Sequence, residues 1–589
     1  MYGWMGKILK LDLKDKRLDI LEVPESTRKS FLGGRGLGVK LYTEMCSPEI
    51  DPFHPDNLLI FMTGPLTGVF PTSGRYQIIS RSPLTGTICD ASSGGIWGAQ
   101  LKKAGFDGLI ISGKADQPIF IEIRDNKIDL RDARDLWGLD THQTINKIKE
   151  TVEKGSSIAT IGPAAENMIL YSGIMNDHDR YAGRGGLGAV MGSKNLKAIV
   201  IKGTGEVAVK YPEKLKSFWL KLDRLIDKNP ITGKSLQLLG TPVLMNIIND
   251  HGMLATRNFQ EGVFNDAEGI SGEKMSENKI VKKSACFKCP IACGRVSKIE
   301  NKEIHGPEFE TTWAFGAQID NNDLDVVIKA NSLCNKLGLD TISCGNTIGC
   351  AMELSQNGLL NDKISWGDGN TILKLINDIV SRKGIGKELA LGAKRMAEKY
   401  HRPELAMHVK GLELPAYDPR GVQGQALAYA TNNRGGCHIK AYMIGPEILG
   451  SPVFLDRFST KGKPEILILM QDISAVVDSL ILCRFLEFAV SIDSFAEMFN
   501  IVTGYEYTGS DLIMIGKRIY SIERKFNCDA GFSREDDNLP ERFTKEELKE
   551  GASRNRTVKM DEMLDKYYEL RGWDNNGIPK KETLKNLKI

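Results

Sequence analysis

Up to about Lys202 the chain sets short aliphatic and β-branched runs between glycine-rich breaks, at residues 58–63, 76–80, 108–112, 119–124 and 198–201. Runs of that length bounded by turn formers predict strands. From about Tyr211 the period changes. Residues 212–227 and 323–337 carry apolar side chains at helical spacing, the second behind the cap sequence Asn321-Asn322-Asp323, and the remainder is predicted to be mainly helical. Residues 466–490 form the longest apolar segment. Gln471, Asp472, Asp478 and Glu487 interrupt it, each costly at a bilayer centre, so it is expected to be a buried helix ending near Cys483 and not a membrane span. Residues 411–421, with Pro415 and Pro419, mark a crossing between helical units. The pattern predicts an α+β chain: a β-rich unit at 1–208 and two mainly helical units at 209–411 and 412–589. No internal repeat and no low-complexity tract interrupts it.

With 589 residues, 41% hydrophobic, the chain exceeds what one core organises. Its 78 basic and 75 acidic side chains are interspersed, for a net charge of +3, which disfavours nucleic acid and charged lipid surfaces as partners. The first residues, Met1-Tyr2-Gly3-Trp4-Met5-Gly6-Lys7, carry no export pattern, so the chain is expected to start there and to work in the cytoplasm. Eleven cysteines in such a compartment stay reduced, bind metal or do chemistry.

Cys286-x-x-Cys289-Pro290-x-x-Cys293 is the sharpest chemical signal. Three thiolates on one tight loop suit three corners of a cubane iron–sulfur cluster, with a fourth ligand from elsewhere. Zinc would ordinarily bring a second paired-ligand motif, and none follows nearby. Spacing leaves Cys334, Cys344, Cys350, Cys437, Cys483 and Cys528 open as the fourth ligand, most of them expected to be buried thiols that behave as small hydrophobes.

Gly183-x-Gly185-x-x-Gly188 matches the dinucleotide fingerprint in form, but the polar stretch Asn176 to Arg180 before it is unlike the buried strand that fingerprint needs. Glycines beside arginine, here and at Gly33-Gly34-Arg35-Gly36, and the Ser92-Ser93-Gly94-Gly95 loop, suit backbone concavities for the anionic groups of a large phosphorylated cofactor. Tight turns with solvated arginines are the plain alternative. His438 lies among turn formers, where a site role is credible. Glu308 and Glu310 are expected on an extended segment leading to Trp313 and Phe315, where apolar surroundings raise a carboxyl pKa towards that of a general base.

Together these residues resemble the tungsten-dependent aldehyde:ferredoxin oxidoreductase family. The likeness covers nearly the whole chain, in collinear blocks at 64–68, 72–76, 82–86, 182–186, 191–197, 414–421 and 431–440. It implies a β-rich base for the cofactor closed over by two helical domains. It further implies a tungsten held by the dithiolenes of two pterins, a [4Fe-4S] cluster, and a magnesium ion between the pterin phosphates, with Ser92 where characterised members have asparagine. By the same resemblance Cys286, Cys289, Cys293 and Cys483 are the cluster ligands, and Arg75 bridges pterin and cluster with a forked donor. Glu310 and His438 line the substrate pocket beside Arg184. Ser93, Gly94, Gly95, Gly185, Asn335, Gly338, Leu339, Asp340, Lys440, Asp478 and Leu482 surround the pterins.

Departures from the family pattern accompany the matches. The pterin motifs read Asn335-Lys336-Leu337-Gly338-Leu339-Asp340 and Asp478-Ser479-Leu480-Ile481-Leu482-Cys483, with Asn335 for aspartate and Ile481 for glycine. Lys329-Ala330-Asn331-Ser332 stands where some members bind a bridging metal through Glu-x-x-His, so a homodimer would form by packing alone. The implied reaction converts an aldehyde and water to a carboxylic acid and passes the electrons to ferredoxin or a ferredoxin-like subunit. Two rivals are the catalytic subunit of an aromatic-ring acyl-CoA reductase and a non-catalytic electron-transfer subunit.

Overall fold

The computed structural model describes residues 1–177 and 180–589. Two six-stranded sheets build the N-terminal region. The first runs in the order Arg17–Leu21, Ile8–Asp12, Gly108–Ser112, Leu59–Met62, Tyr76–Arg81, Ile88–Ser93; the second runs Arg180–Ala182, Ile174–Asn176, Ser157–Thr160, Leu196–Lys202, Ile119–Arg124, Lys127–Asp132. Both are mixed, with Ile8–Asp12 parallel to Gly108–Ser112 and Leu196–Lys202 parallel to Ile119–Arg124. Side chains alternate along the central strands. Leu9, Phe61, Ile78 and Ile111 share a core with Ile121 and Ile199 of the second sheet. Ile8, Ile60, Ile79 and Ile110 face a second core with the helical region. Burial on both faces explains why these strands read as unbroken apolar runs.

That second face receives helices Gly34–Met45, Lys463–Leu480 and Gly509–Asp529, together with Phe218 and Leu222 of helix Pro212–Lys228. Gly33-Gly34-Arg35-Gly36 proves to be a packing seat for a helix end and not an anion loop. A Cβ on Gly34 would stand 2.2 Å from the Asp478 carbonyl oxygen, and one on Gly64 would stand 2.6 Å from that of Ser479.

The chain beyond residue 211 is mainly helical, but the three-stranded sheet Ile280–Ser284, Gly294–Ile299, Lys302–His305 interrupts it. Its outer strands are polar and largely exposed, and the buried central strand Gly294–Ile299 carries Arg295, Ser297 and Lys298 among few apolar residues, so none shows the apolar alternation that announces a strand. The apolar segment at 466–490 is not one helix: helix Lys463–Leu480 stops at Ile481, whose left-handed backbone (φ 64°) turns the chain so that Cys483 leads a separate short turn, Arg484–Phe488. Glu308 directly precedes helix Phe309–Ala314, which places Glu310 in a first helical turn instead of an extended segment. Before Gly183 the buried strand Ile174–Asn176 pairs antiparallel with the half-buried edge strand Arg180–Ala182; His178 and Asp179 lie outside the described residues. An antiparallel edge strand is not the parallel buried strand of a dinucleotide fold.

The division at 208 and 411 stays a proposed organisation, because packing crosses it. One continuous core joins Ile248 and Trp313 to Tyr429, Leu467 and Trp573. Among the described residues no helix is long and apolar enough to cross a membrane.

Candidate active site

Cys286, Cys289 and Cys293 occupy the connection between strands Ile280–Ser284 and Gly294–Ile299. Phe287 seats this loop on the N-terminal region. Its N–H donates to the Gly95 carbonyl at 3.1 Å, its carbonyl accepts from the Thr72 N–H at 3.3 Å, and a Cβ on Gly74 would meet its own Cβ at 2.3 Å. Cys483 arrives from the far side through the turn at Ile481. All four cysteines line one cavity of about 370 Å³ with Arg75, Gly94, Arg180, Arg184 and Asp340.

Burial first, then the nearby Cys483, pushes the Cys289 thiol up to about 12. Burial raises Cys293 and Cys483 as well, the latter against the pull of Arg75. Ionised thiolates here call for compensating positive charge, which iron supplies. The four thiols share one cavity wall, and among the described residues no three His, Cys, Asp or Glu side chains are grouped to hold a single ion. A cubane, with its separated iron corners, suits that arrangement. A Cβ on Gly94 would approach the Cys286 sulfur to 2.8 Å, so glycine there keeps the cavity open.

Arg75 donates from Nε to the Ser92 hydroxyl at 3.0 Å, which leaves the far end of its guanidinium free for the cavity. The Ser93 hydroxyl bonds Asn176 at 2.5 Å. Across the cavity Arg184 donates to Asp340 at 3.0 Å and to the Gly436 carbonyl at 2.9 Å. Asp340 also caps the next helix, Thr341–Gln356. Gly338 (φ 93°) closes helix Leu324–Leu337, and Asn335 and Leu339 reach the cavity wall. Gly185 (φ 85°) lies beneath, where a Cβ would stand 2.3 Å from the Cys89 sulfur. Not every predicted cofactor residue reaches the wall. Lys440 and Asp478 pair at 2.7 Å in a buried network with Asp90, Arg35 and Glu523, and Leu482 packs in the core.

Glu310 and His438 come together, Oε1 to Nε2, at 3.5 Å. Glu310 Oε2 accepts the Ala416 N–H at 3.0 Å, while Oε1 is buried without a hydrogen-bond partner. Burial pushes the Glu310 carboxyl up to about 8, opposed by the Ala416 N–H and Arg184. Burial, with Arg184, Arg434 and Arg484, lowers His438 to about 3. At neutral pH the pair is therefore a protonated acid beside a neutral imidazole. A buried acceptor aimed at a neutral donor too far away for a good bond leaves a place for a substrate oxygen between them.

A second cavity, about 460 Å³, opens from this pair. Leu236, Val243, Leu244, Ile439, Met470 and Phe488 are among its walls. Tyr417 and Tyr442 join their hydroxyls at 3.0 Å at its inner end, and Arg484 and Glu487 pair at 3.1 Å along it. Sequence reasoning missed Arg180, Tyr442, Arg484 and Glu487. Two signals pointed their way: Arg484 follows Cys483 directly, and Tyr442 stands two positions past Lys440.

Four thiols around one cavity, a forked cation beside them, and a carboxyl–imidazole pair at the mouth of an apolar chamber mark the chain as an oxidoreductase that works with bound redox groups. The chain belongs to the aldehyde ferredoxin oxidoreductase family: residues 8–203 match that family's N-terminal domain and residues 218–589 its domains 2 and 3. It is 45% identical to the tungsten-containing aldehyde ferredoxin oxidoreductase of Pyrococcus furiosus and 46% identical to that of Pyrococcus horikoshii, in each case across 100% of this chain and 99% of the relative. Among solved structures it resembles the active-site complex BamBC of benzoyl coenzyme A reductase with 1,5-dienoyl-CoA. That likeness has a TM-score of 0.87 and 25% identity, over 100% of this chain and 97% of the other.

Proposed function

We propose that the protein oxidises an apolar aldehyde, with water, to a carboxylic acid and delivers the electrons to ferredoxin in the cytoplasm. The observation that carries this is the unpartnered Glu310 Oε1 facing His438 at 3.5 Å where the apolar cavity begins.

When bound, a tungsten bis-pterin accepts the electron pair of the oxidation and a [4Fe-4S] cluster relays it singly. Cys286, Cys289, Cys293 and Cys483 would hold the cluster, and Arg75 would lie between it and a pterin. Asn335, Leu339, Asp340 and Arg184 would border the pterins; the Ser92 hydroxyl accepts from the Arg75 guanidinium and does not suit a magnesium ion. The neutral His438 donates a hydrogen bond to the aldehyde oxygen and stabilises charge that develops there. Ionised Glu310 takes the proton from the attacking water or hydrate, its Oε2 steadied by the Ala416 N–H. The chamber walls exclude water and favour an apolar substituent. Arg484 Nε and Glu487 Oε1 pair at 3.1 Å along the chamber, while both terminal nitrogens of Arg484 are buried without a hydrogen-bond partner.

The likeness to benzoyl coenzyme A reductase favours a second reading, reduction of an aromatic ring on a coenzyme A thioester. The aldehyde reading stands ahead of it on 45% identity along the full chain. Elemental analysis for tungsten and iron on anaerobically purified protein comes first. A viologen-coupled comparison of apolar aldehydes with aromatic thioesters then decides between the two, because turnover of thioesters alone would refute the aldehyde reading.

A further inference from the structure

The proton taken up by Glu310 has to leave an enclosed place before the next turnover. Among the described residues that line the chamber, few groups can carry it. Burial and nearby arginines hold His438 at about 3, so the imidazole accepts no proton at neutral pH. The Tyr417 and Tyr442 hydroxyls are bonded to each other at 3.0 Å, and burial raises both phenols. They pass a proton on only where a further acceptor stands. Glu308 accepts from the Thr241 hydroxyl at 2.5 Å, which ties it to the wall. Arg484 does not give up its proton at all. Glu487 remains. It sits in the short turn Arg484–Phe488, and its Oε1, like that of Glu310, is buried without a hydrogen-bond partner. Arg484 Nε stands 3.1 Å from that oxygen but out of line for a hydrogen bond.

The chamber therefore has one polar stripe, while its apolar walls keep bulk water out. The Arg484 charge acts on His438 and on Glu487 alike, so their turn lies alongside the catalytic pair. Both terminal nitrogens of Arg484 are unpaired, and with the Tyr442 hydroxyl they supply the polar partners that a few ordered waters need. Farther along the same wall Ser491 lines the chamber and is exposed, as Pro452 is, which marks the mouth. We infer that Glu487 is the proton-relay group of this site: it receives the proton from Glu310 through water held along the Arg484 side of the chamber and releases it at the mouth beside Ser491. Burial, opposed by Arg484 and reinforced by Asp478, pushes the Glu487 carboxyl up to about 7. That is close to the value of about 8 at Glu310, the match that proton transfer between two carboxyls favours. The inference rests on the proposed aldehyde oxidation. There the aldehyde C–H bond breaks, a C–O bond to water oxygen forms, and carboxylate, three protons and two electrons result. The relay carries protons alone, and Glu487 ends each turnover as it began.

The test uses holoenzyme, an apolar aldehyde and benzyl viologen at neutral pH, in a dilute buffer too bulky to enter the chamber. Glu487→Gln keeps the shape of the side chain and removes its titration. Its kcat is expected to fall roughly 10-fold or more, with KM, tungsten and iron content as in the parent and a larger solvent deuterium isotope effect on kcat. Added imidazole, a proton carrier small enough to enter, should restore kcat in a saturable way while leaving the parent unchanged. Glu487→Asp, which keeps a carboxyl, should run without imidazole. A Glu487→Gln kcat within about twofold of the parent overturns the inference. So does a loss that imidazole does not restore, or one that tracks the tungsten or iron content, since either gives Glu487 a structural part only. A parent enzyme that oxidises no aldehyde refutes the aldehyde reading before any variant is compared, and the relay falls with it.

Discussion

Replacing Glu310 by glutamine preserves the shape of the side chain and its bond from the Ala416 N–H while removing the proton-accepting oxygen that faces His438. Two magnitudes follow. A positioned base contributes roughly 10²–10⁴-fold to rate, about 3–5 kcal/mol of barrier, so kcat/KM for an aldehyde with viologen should fall by that factor with tungsten and iron content unchanged. In the parent the carboxyl titrates at about 8, so kcat/KM should climb from pH 6 to 9 as the base ionises, and in the variant this limb should vanish. The stability effect has a definite sign. The folded pKa lies above the ordinary 4.5, so the folded protein binds more protons than the unfolded chain between the two values. The parent therefore loses stability as pH rises from 4.5 through about 8, by at most roughly 5 kcal/mol at 1.36 kcal/mol per pH unit. Urea melts of protein from tungstate-starved cells should show Glu310→Gln gaining on the parent across that window. A variant with full turnover, or one that keeps the alkaline rise near pH 8, would remove Glu310 from the chemistry.

Cys483→Ser should abolish the cluster's electron paramagnetic resonance signal and lower iron content while circular dichroism stays unchanged, whereas Cys344→Ser, in a buried helix away from the cavity, should keep both. Unchanged iron in Cys483→Ser would dismiss it as a ligand. Arg184→Gln removes a cation that favours the Glu310 carboxylate, so the alkaline limb of the rate profile should move above pH 8; a limb that moves down refutes the electrostatic account. Ile481→Gly relieves about 1–2 kcal/mol of left-handed strain. It also deletes a buried side chain worth about 2–5 kcal/mol, so denaturant melts should show a net loss of roughly 1–3 kcal/mol. A stabilised variant would mean that backbone strain dominates at that turn.

The central strands were legible because they are buried on both faces: residues 108–112 and 119–124 emerge as Gly108–Ser112 and Ile119–Arg124 without a shift. Capped amphipathic helices were legible for the same reason, as with Leu324–Leu337 behind Asp323. The small sheet that carries the cysteines was not. Its strands gain stability from pairing across a hairpin and from docking against neighbours, and their short polar sequences give no period to read. Gly33 to Gly36 misled for a related reason, since a glycine beside arginine looks the same in sequence whether its missing Cβ admits a phosphate or a helix end. Only the Asp478 carbonyl lying where a Gly34 Cβ would go separates the two.

The thiol spacing identified the cluster loop, but nothing local could bring Cys483 to it. That meeting depends on Ile481, which ends helix Lys463–Leu480 in a left-handed conformation where glycine is the ordinary choice. The isoleucine is tolerated because its side chain fills the space over two glycines, with Cδ1 2.7 Å from a Gly34 Cβ position and Cγ1 2.9 Å from a Gly64 one. Three positions distant in sequence thus fit one another: two glycines on the N-terminal region leave the space that the Ile481 side chain fills at the helix end. The departure from the expected glycine therefore does not remove the turn that carries Cys483 into the cavity. It locks that turn to the cofactor base by packing, so the helix end cannot shift without opening a void against Gly34 and Gly64.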